Sequence, residues 1–178
     1  RTVMQDSSRQ PQCRTFQKGL DFLAQNHDKD NWFLQIETFD PHEPFFCQPE
    51  YQQLFPDSYD GPFCDWPDYR PVNEEDSPEF ITHLRHQYAS VLKLCDENLG
   101  KVLDAMDHYN LWKDTMLIVN TDHGFLLSEH GQWAKCHCPF YGEVAHTPLF
   151  IWDPRSQKQN VRTSQLVQTI DLPATLLE

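Results

Sequence analysis

The spacing of apolar and polar positions divides the chain into helical and strand-like segments. Apolar residues that recur every three or four positions predict helices, and short apolar runs rich in β-branched and aromatic residues predict buried strands. The helices are predicted over 13–26, 77–109, 140–145 and from Ile170 to the end. The strands are predicted over 32–38, 115–120 and 148–152. This order of strands and helices is typical of an α/β fold with a mostly parallel sheet flanked by helices.

Two stretches carry no such period. Residues 1–12 are polar and are predicted to be a tail or a cut end. Residues 39–76 hold many of the 13 prolines together with several aromatic residues. A loop of this length inside a compact domain is usually functional or packed across a site. The whole of 1–178 is therefore interpreted as part of one domain, with 39–76 as its main excursion.

Composition and charge narrow the classes of function. Apolar residues make up 39% of the chain and aromatic residues 13%, which is enough to build a core. The 14 Lys and Arg residues are outnumbered by 27 Asp and Glu residues, which gives a formal net charge of -13. A chain this acidic is poorly suited to binding nucleic acid or an anionic membrane surface, and its apolar runs are too short for a membrane span. We therefore expect neither nucleic acid nor a membrane span.

The six cysteines favour free thiols over a disulfide framework, because a chain this long and rich in Phe and Trp does not need covalent staples. Free thiols indicate a reducing compartment, so we expect a cytoplasmic location. Cys136-His137-Cys138 is spaced like half of a zinc site. No second pair at zinc spacing accompanies it, so a structural zinc site is the less favoured interpretation.

Chemistry-bearing residues follow two of the predicted strands. Asp40 and His42 come after the strand at 32–38, and Asp122-His123-Gly124 comes after the strand at 115–120. Ligands of open α/β sheets bind at the carboxyl ends of strands. A carboxylate next to an imidazole suits a divalent cation, although an ordinary turn or helix cap is the favoured explanation of Asp122 and His123 taken alone.

Two further residues are suited to an anionic group. His42 lies between prolines that stiffen its loop, so it is suited to general acid work or to anion binding; a surface histidine in a turn is the alternative. Lys135 follows the Asp122 segment and is suited to pairing with a bound oxyanion, although most single lysines are merely solvated.

The segments that carry these residues occur in a recognisable order. They are Phe39-Asp40-Pro41-His42-Glu43-Pro44, Asn120-Thr121-Asp122-His123-Gly124, Ser128-Glu129-His130-Gly131-Gln132-Trp133-Ala134-Lys135, the stretch 139–153 and the stretch 171–178. Together they resemble the sulfatase family of the alkaline-phosphatase superfamily, over about Asn31 to Glu178. The resemblance implies an alkaline-phosphatase-like fold, present here only in its later part.

The resemblance also implies roles for the candidate residues. Asp122 and His123 would complete the coordination of an active-site divalent metal ion. Lys135 and His42 would contact the transferred sulfuryl or phosphoryl group, with His42 near the leaving-group oxygen. The expected substrate is a small-molecule, saccharide or aryl ester, and the expected activity is hydrolysis of a sulfate ester.

Two departures from the family pattern keep alternatives open. The family's nucleophile, a Cys or Ser in a C/S-x-P-x-R motif whose Cys is oxidised to formylglycine, is absent from this sequence. We therefore expect the formylglycine in a preceding part of the protein and expect this piece alone to be inactive; a non-catalytic binding protein that kept the fold is the alternative. Many sulfatases have Asp-Asn where this chain has Asp122-His123, a variant similar to phosphonate monoester hydrolases and phosphodiesterases. The imidazole favours Mn or Zn over Ca.

Overall fold

A computed structural model of the chain describes Asp6 and residues 9–177. The described α-helices are α1 (Pro11–Asn26), α2 (Pro49–Gln52), α3 (Pro78–His108), α4 (Gly142–Ala145) and α5 (Asp171–Leu177). The described strands are β1 (Leu117–Asn120), β2 (Leu126–Leu127), β3 (Trp133–Ala134) and β4 (Leu149–Trp152). Short 3-10 turns lie at Leu111–Lys113 and Glu129–Gly131.

The helices agree well with the periodicity of the sequence. The helix predicted over 77–109 is confirmed as α3, and Ser77 caps it, because the Ser77 hydroxyl accepts a hydrogen bond of 3.2 Å from the Phe80 amide. Helix α1 begins at Pro11, earlier than predicted, and Gln10 and Gln12 are buried. The prediction of a polar tail over 1–12 is thus wrong for these residues, because their side-chain amides are held in a buried polar network. The remaining predicted tail positions, 1–5 and 7–8, lie outside the described residues.

The described strands form two small antiparallel sheets. In the first, β1 pairs with β4, from Leu117 opposite Trp152 to Asn120 opposite Leu149. In the second, β2 pairs with β3. The predicted mostly parallel sheet is not found in the described part of the chain. Parallel neighbours need a long crossover, usually a helix, whereas α4, between β1 and β4, is a single short turn of helix.

The segment predicted as a strand over 32–38 is extended but unpaired. Its side chains alternate, with Trp32, Leu34 and Ile36 packed on a hydrophobic cluster and Phe33 70% exposed. No backbone hydrogen bond joins 32–38 to another segment among residues 9–177. The prediction of a buried strand over 32–38 is wrong, because one face of this segment is open and no neighbouring strand lies among the described residues.

Two hydrophobic clusters hold the elements together, and α3 contributes to both. One contains Phe45, Cys47, Leu84, Val91, Leu94 and Trp133. The other contains Leu23, Val102, Met106 and Leu111. Because Phe45 and Cys47 belong to the long loop at 39–76, this loop is packed into the core and not merely draped over the surface.

The helices and cysteines of the described residues add two observations. None of the described helices combines the length and the apolar character needed to cross a membrane. All six thiols are free in the structure, with Cys47 buried and Cys136 exposed.

Candidate functional site

A tight turn after β1 positions the first two candidate residues, Asp122 and His123. Gly124 follows them and donates its amide to the Val144 carbonyl in α4 at 2.8 Å. A Cβ atom at Gly124 would lie 1.8 Å from the Glu143 carbonyl oxygen, far closer than any real contact. Glycine is therefore required at this position so that the turn can lie directly against α4.

Asp122 and His123 present adjacent donor atoms. The Asp122 Oδ2 atom lies 3.6 Å from the His123 Nε2 atom, and the Asp122 side chain is 82% exposed. The other oxygen, Oδ1, accepts a 2.8 Å hydrogen bond from the His123 amide. Although partial burial raises it, this amide and the electrostatic attraction of His123 lower the pKa of Asp122 overall, so its carboxylate is ionised at neutral pH.

The tautomer of His123 follows from its own neighbour. The His123 Nδ1 atom lies 3.0 Å from the Gly124 carbonyl oxygen, which only accepts hydrogen bonds. In the neutral ring, Nδ1 therefore carries the hydrogen, and Nε2 keeps a lone pair. This is the arrangement in which a histidine binds a metal through Nε2.

Lys135 is brought to the same place by an unusual backbone. The residues on both sides of it, Ala134 and Cys136, have positive φ values of 68° and 50°. The left-handed backbone at these two positions ends β3 sharply. Lys135 itself is only 8% exposed. Its Nζ atom lies 3.4 Å from His123 Nε2 and 5.8 Å from the centre of the Phe125 ring.

The donor set fits two positions of a divalent-cation site. Two ligand atoms of one ion typically lie about 3 to 4 Å apart, since each is about 2.1 Å from the metal. The separation of Asp122 Oδ2 and His123 Nε2, 3.6 Å, agrees with this. Within residues 9–177, no group of three or more His, Cys, Asp or Glu side chains is arranged to hold a metal ion. The further ligands of such an ion would therefore be groups of another kind or groups outside residues 9–177.

His42 occupies a separate corner with its own partners. Its Nδ1 atom lies 2.7 Å from the Glu43 carbonyl oxygen and 3.2 Å from the Glu43 Oε2 atom. The Phe39 ring packs against the imidazole at a centroid distance of 4.3 Å. Nearby, burial raises the pKa of Asp40, although the hydrogen bond from Gln12 and the attraction of His42 act in the opposite direction.

An aromatic group connects the two corners. Phe125, over which Lys135 lies, packs edge-to-face against Phe45 at 5.4 Å and Tyr69 at 6.3 Å. The Tyr69 hydroxyl donates to the Glu43 carboxylate next to His42. The structure thus brings Asp122, His123 and Lys135 together, and it links His42 to them through Glu43, Tyr69 and Phe125.

Sequence reasoning quoted Glu43 within a motif but gave it no role, and it did not identify Tyr69 and Phe125 as part of this region. Glu43 is adjacent to a candidate histidine between two prolines, so its position in the chain was the available clue. Tyr69 comes from the far end of the long loop, and nothing in the sequence indicates which residue its hydroxyl meets.

Two other features stay apart from this region. In Cys136-His137-Cys138, the His137 Nε2 atom lies 3.2 Å from the Gln132 side-chain oxygen, and the three side chains form no metal-binding group within the described residues. A surface groove of about 340 Å³ lies between α2 and α3 and is lined in part by Gln52, Phe55 and His86. It includes none of the candidate residues.

Comparisons with known proteins agree with one another. The family model described as Sulfatase matches residues 4–178. An uncharacterised sulfatase, YidJ, from Escherichia coli K12 is 26% identical over 92% of this chain and 35% of its own length. Human iduronate 2-sulfatase is 26% identical over 69% of this chain and 26% of its own length.

A solved structure shows the same fold. The phosphonate monoester hydrolase of Agrobacterium radiobacter superposes with a TM-score of 0.67 at 21% identity, over 84% of this chain and 34% of that protein. The chain therefore shares its fold with the matching part of that hydrolase. The chain spans about a third or less of the length of each of these relatives.

Proposed function

Since the chain belongs to the sulfatase family, we propose that it is part of a metal-dependent hydrolase that cleaves sulfate esters. The observation that supports this best is the group formed by Asp122, His123 and Lys135. The buried Lys135 ammonium donates to the His123 Nε2 atom at 3.4 Å, beside the exposed Asp122 carboxylate. Such a set combines two ligands for a cation with one positive charge for an anionic ester.

Each residue has a proposed role that follows from its surroundings. Asp122 and His123 hold a divalent cation, which supplies Lewis-acid polarisation of the ester when bound. Lys135 attracts the ester oxygens, and its burial strengthens that attraction because less water screens it. His42 donates a proton to the leaving-group oxygen from Nε2. Because the chain covers only part of its relatives, we propose that the nucleophile, a formylglycine, belongs to a preceding part of the protein.

A second substrate class has a specific observation in its favour. The superposed structure is a phosphonate monoester hydrolase, and this chain carries a histidine beside Asp122. An imidazole ligand shifts metal preference from Ca towards Mn or Zn. The alternative is therefore hydrolysis of phosphonate monoesters or phosphodiesters at the same residues. The saccharide substrate implied by the name of human iduronate 2-sulfatase is one candidate for the sulfate case.

The test uses the complete gene product that contains this chain. Asp122→Ala and His123→Ala should lower metal content and turnover together. Lys135→Ala and His42→Ala should keep the metal while slowing turnover by roughly 10²–10³-fold, because each removes a group that stabilises charge in the transition state. Lys113→Ala, at a 62% exposed lysine, serves as the control and should behave as the unchanged protein.

The measurements are metal content and turnover of matched aryl sulfate, aryl phosphonate and phosphodiester substrates. Preference for the sulfate supports the main proposal, and preference for either phosphorus ester supports the alternative. Unchanged turnover in both Lys135→Ala and His42→Ala would remove the proposed roles. The 178-residue chain alone should show no turnover, because it has no nucleophile motif.

A further inference from the structure

Glu43 is a buried acid that the proposed chemistry leaves unexplained. Its side chain is fully buried. One carboxylate oxygen, Oε1, accepts a hydrogen bond from the Tyr69 hydroxyl. The other, Oε2, accepts no hydrogen bond from the residues that the structure describes, but it lies 3.2 Å from His42 Nδ1. A buried carboxylate is costly unless a charge or donor compensates it, so the contact with His42 is the feature to be explained.

The contacts of His42 define the state of its ring. Both groups near Nδ1 come from Glu43: the backbone carbonyl at 2.7 Å and the carboxylate at 3.2 Å. A carbonyl and a carboxylate only accept hydrogen bonds, so Nδ1 carries a hydrogen. Nε2 is then the nitrogen left for chemistry. The Phe39 ring packs on the imidazole and restricts its rotation.

Tyr69 completes the arrangement from the opposite end of the long loop. Burial, followed by the hydrogen bond to Glu43 and the negative charge of that carboxylate, raises the pKa of Tyr69. The hydroxyl therefore stays protonated and remains a donor. It holds Oε1, which leaves Oε2 directed at the imidazole.

On the basis of the proposed role of His42, we infer that Glu43 is a positioning residue: held by Tyr69, it fixes the orientation and tautomer of His42 and balances the positive ring. In the imidazolium form, Nδ1–H points to Glu43 and Nε2–H points to the leaving-group oxygen. Transfer of the Nε2 proton to that oxygen leaves a neutral ring that still carries the Nδ1 hydrogen. No covalent bond to Glu43 forms or breaks in this step.

The effect of other acidic groups near the His42 ring must be distinguished from that of Glu43. The Asp40 carboxyl also interacts electrostatically with His42, and its own pKa is raised by burial. Asp40→Asn therefore tests whether any negative charge near the ring has the same effect on kcat and on the His42 tautomer. Glu50 is an exposed acid in α2, and Glu50→Gln is the matched control for the substitution itself.

The experiment compares Glu43→Gln and Tyr69→Phe with these controls in the complete gene product. Glu43→Gln should lower kcat by about 10–100-fold, the usual effect of removing a group that orients a functional histidine, with little change in KM. The loss should be larger for esters with poor leaving groups, because these depend most on proton donation. Tyr69→Phe should act in the same direction but more weakly.

A second measurement does not depend on activity. In protein labelled with ¹⁵N at histidine, the nitrogen shifts of His42 report which ring nitrogen carries the hydrogen. The unchanged protein should show the Nδ1–H form. Glu43→Gln should increase the share of the Nε2–H form, because the new side-chain amide can donate to Nδ1, although the backbone carbonyl of residue 43 still accepts from it. An unchanged tautomer in Glu43→Gln would overturn the inference, as would a loss of activity explained wholly by a lower unfolding temperature.

The two readouts separate this inference from the proposed function. If His42→Ala leaves turnover intact while Glu43→Gln still shifts the tautomer, the catalytic role of His42 is wrong but the positioning by Glu43 stands. If His42→Ala abolishes turnover while Glu43→Gln changes neither kcat nor tautomer, the proposed function stands and the inference about Glu43 falls.

Discussion

At the scale of single residues, the candidate site depends on close contacts that leave no room for a larger side chain. Gly124 is the clearest case, because its α-hydrogen faces the Glu143 carbonyl of α4. Asp122 and His123 precede it in the same turn. The position of these two ligands is therefore set by a residue that has no chemistry of its own.

Gly124→Ala should lower the free energy of unfolding by about 1–3 kcal/mol, the usual cost of forcing extra volume into a packed contact. The added Cβ would meet backbone, which cannot move aside as a flexible side chain can. Urea unfolding measures the change. Gly100→Ala is the matched control: a Cβ there meets nothing within 4 Å, and it lies inside α3, so this variant should be stabilised by about 0.5–1 kcal/mol. Equal effects at both glycines would contradict the packing argument.

The candidate residues illustrate how far residue-level prediction reaches. Asp122, His123 and Lys135 were identified from their positions after a strand, and the structure brings them into contact. Their functional roles remain predictions. Glu43 and Tyr69 were not identified, because a hydrogen bond between distant side chains depends on how the long loop folds and leaves no local pattern.

At the scale of elements, the end of the long loop is tied to β3 through one carboxylate. Arg70 donates to Asp76 through both terminal guanidinium nitrogens, at 2.6 and 2.8 Å, and the Trp133 indole donates to it at 3.1 Å. The Asn73 amide adds a bond of 2.9 Å. These bonds, of which the one from Arg70 has the largest effect, lower the pKa of Asp76 from 3.8 to about 2. Burial raises the pKa but is outweighed.

This shift predicts a pH dependence of stability. The folded chain holds Asp76 ionised at pH values where the unfolded chain already protonates it, so the stabilisation is complete above about pH 5 and is lost as the pH falls towards 2. The contribution is about 2 kcal/mol. Asp76→Asn should be less stable at neutral pH by about this amount, and the gap should close in acid.

The measurement is the urea midpoint of both proteins across the acidic range. Asp68→Asn serves as the control, since Asp68 is exposed and lies 3.9 Å from Arg70. A gap between the unchanged protein and Asp76→Asn that stays constant down to about pH 2 would show that Asp76 acts by shape alone.

Helices were predicted better than strand pairing, for a physical reason. A helix is recognised from its own residues: its repeat, its cap and its first proline, all of which α3 shows. A strand needs a partner, and the partner of β1 turned out to be β4 in an antiparallel register. Nothing within either run of apolar residues indicates that orientation.

At the scale of the whole molecule, the extended segment at 32–38 has no strand partner. It has the alternating exposure of a strand, but no strand among residues 9–177 pairs with it. Phe150 of β4 is likewise 67% exposed. The family resemblance, by contrast, was predicted from sequence and is confirmed by the match over residues 4–178. The order of the motifs can be recognised within these 178 residues, whereas a partner strand for 32–38 is not found among the described ones.

Hydrogen exchange should reveal this difference within the 178-residue chain. Amides of residues 32–38 should exchange much faster than the paired amides of β1. The paired β1 amides donate to β4, whereas the amides of 32–38 have no backbone acceptor among the described residues. Exchange followed by mass spectrometry or NMR checks the prediction. Protection at 32–38 equal to that of β1 would mean that this segment has found a strand partner in solution.

The length of α3 has a consequence for how the molecule melts. The helix has 31 residues, which corresponds to roughly 46 Å at 1.5 Å per residue. Leu84 and Val91 near its start pack in one cluster, and Val102 and Met106 near its end pack in the other. Helices in proteins are held chiefly by the packing of their apolar face, so melting of either cluster removes support from half of α3. The shared helix therefore makes the two cores cooperative: they gain and lose their structure as one folding unit.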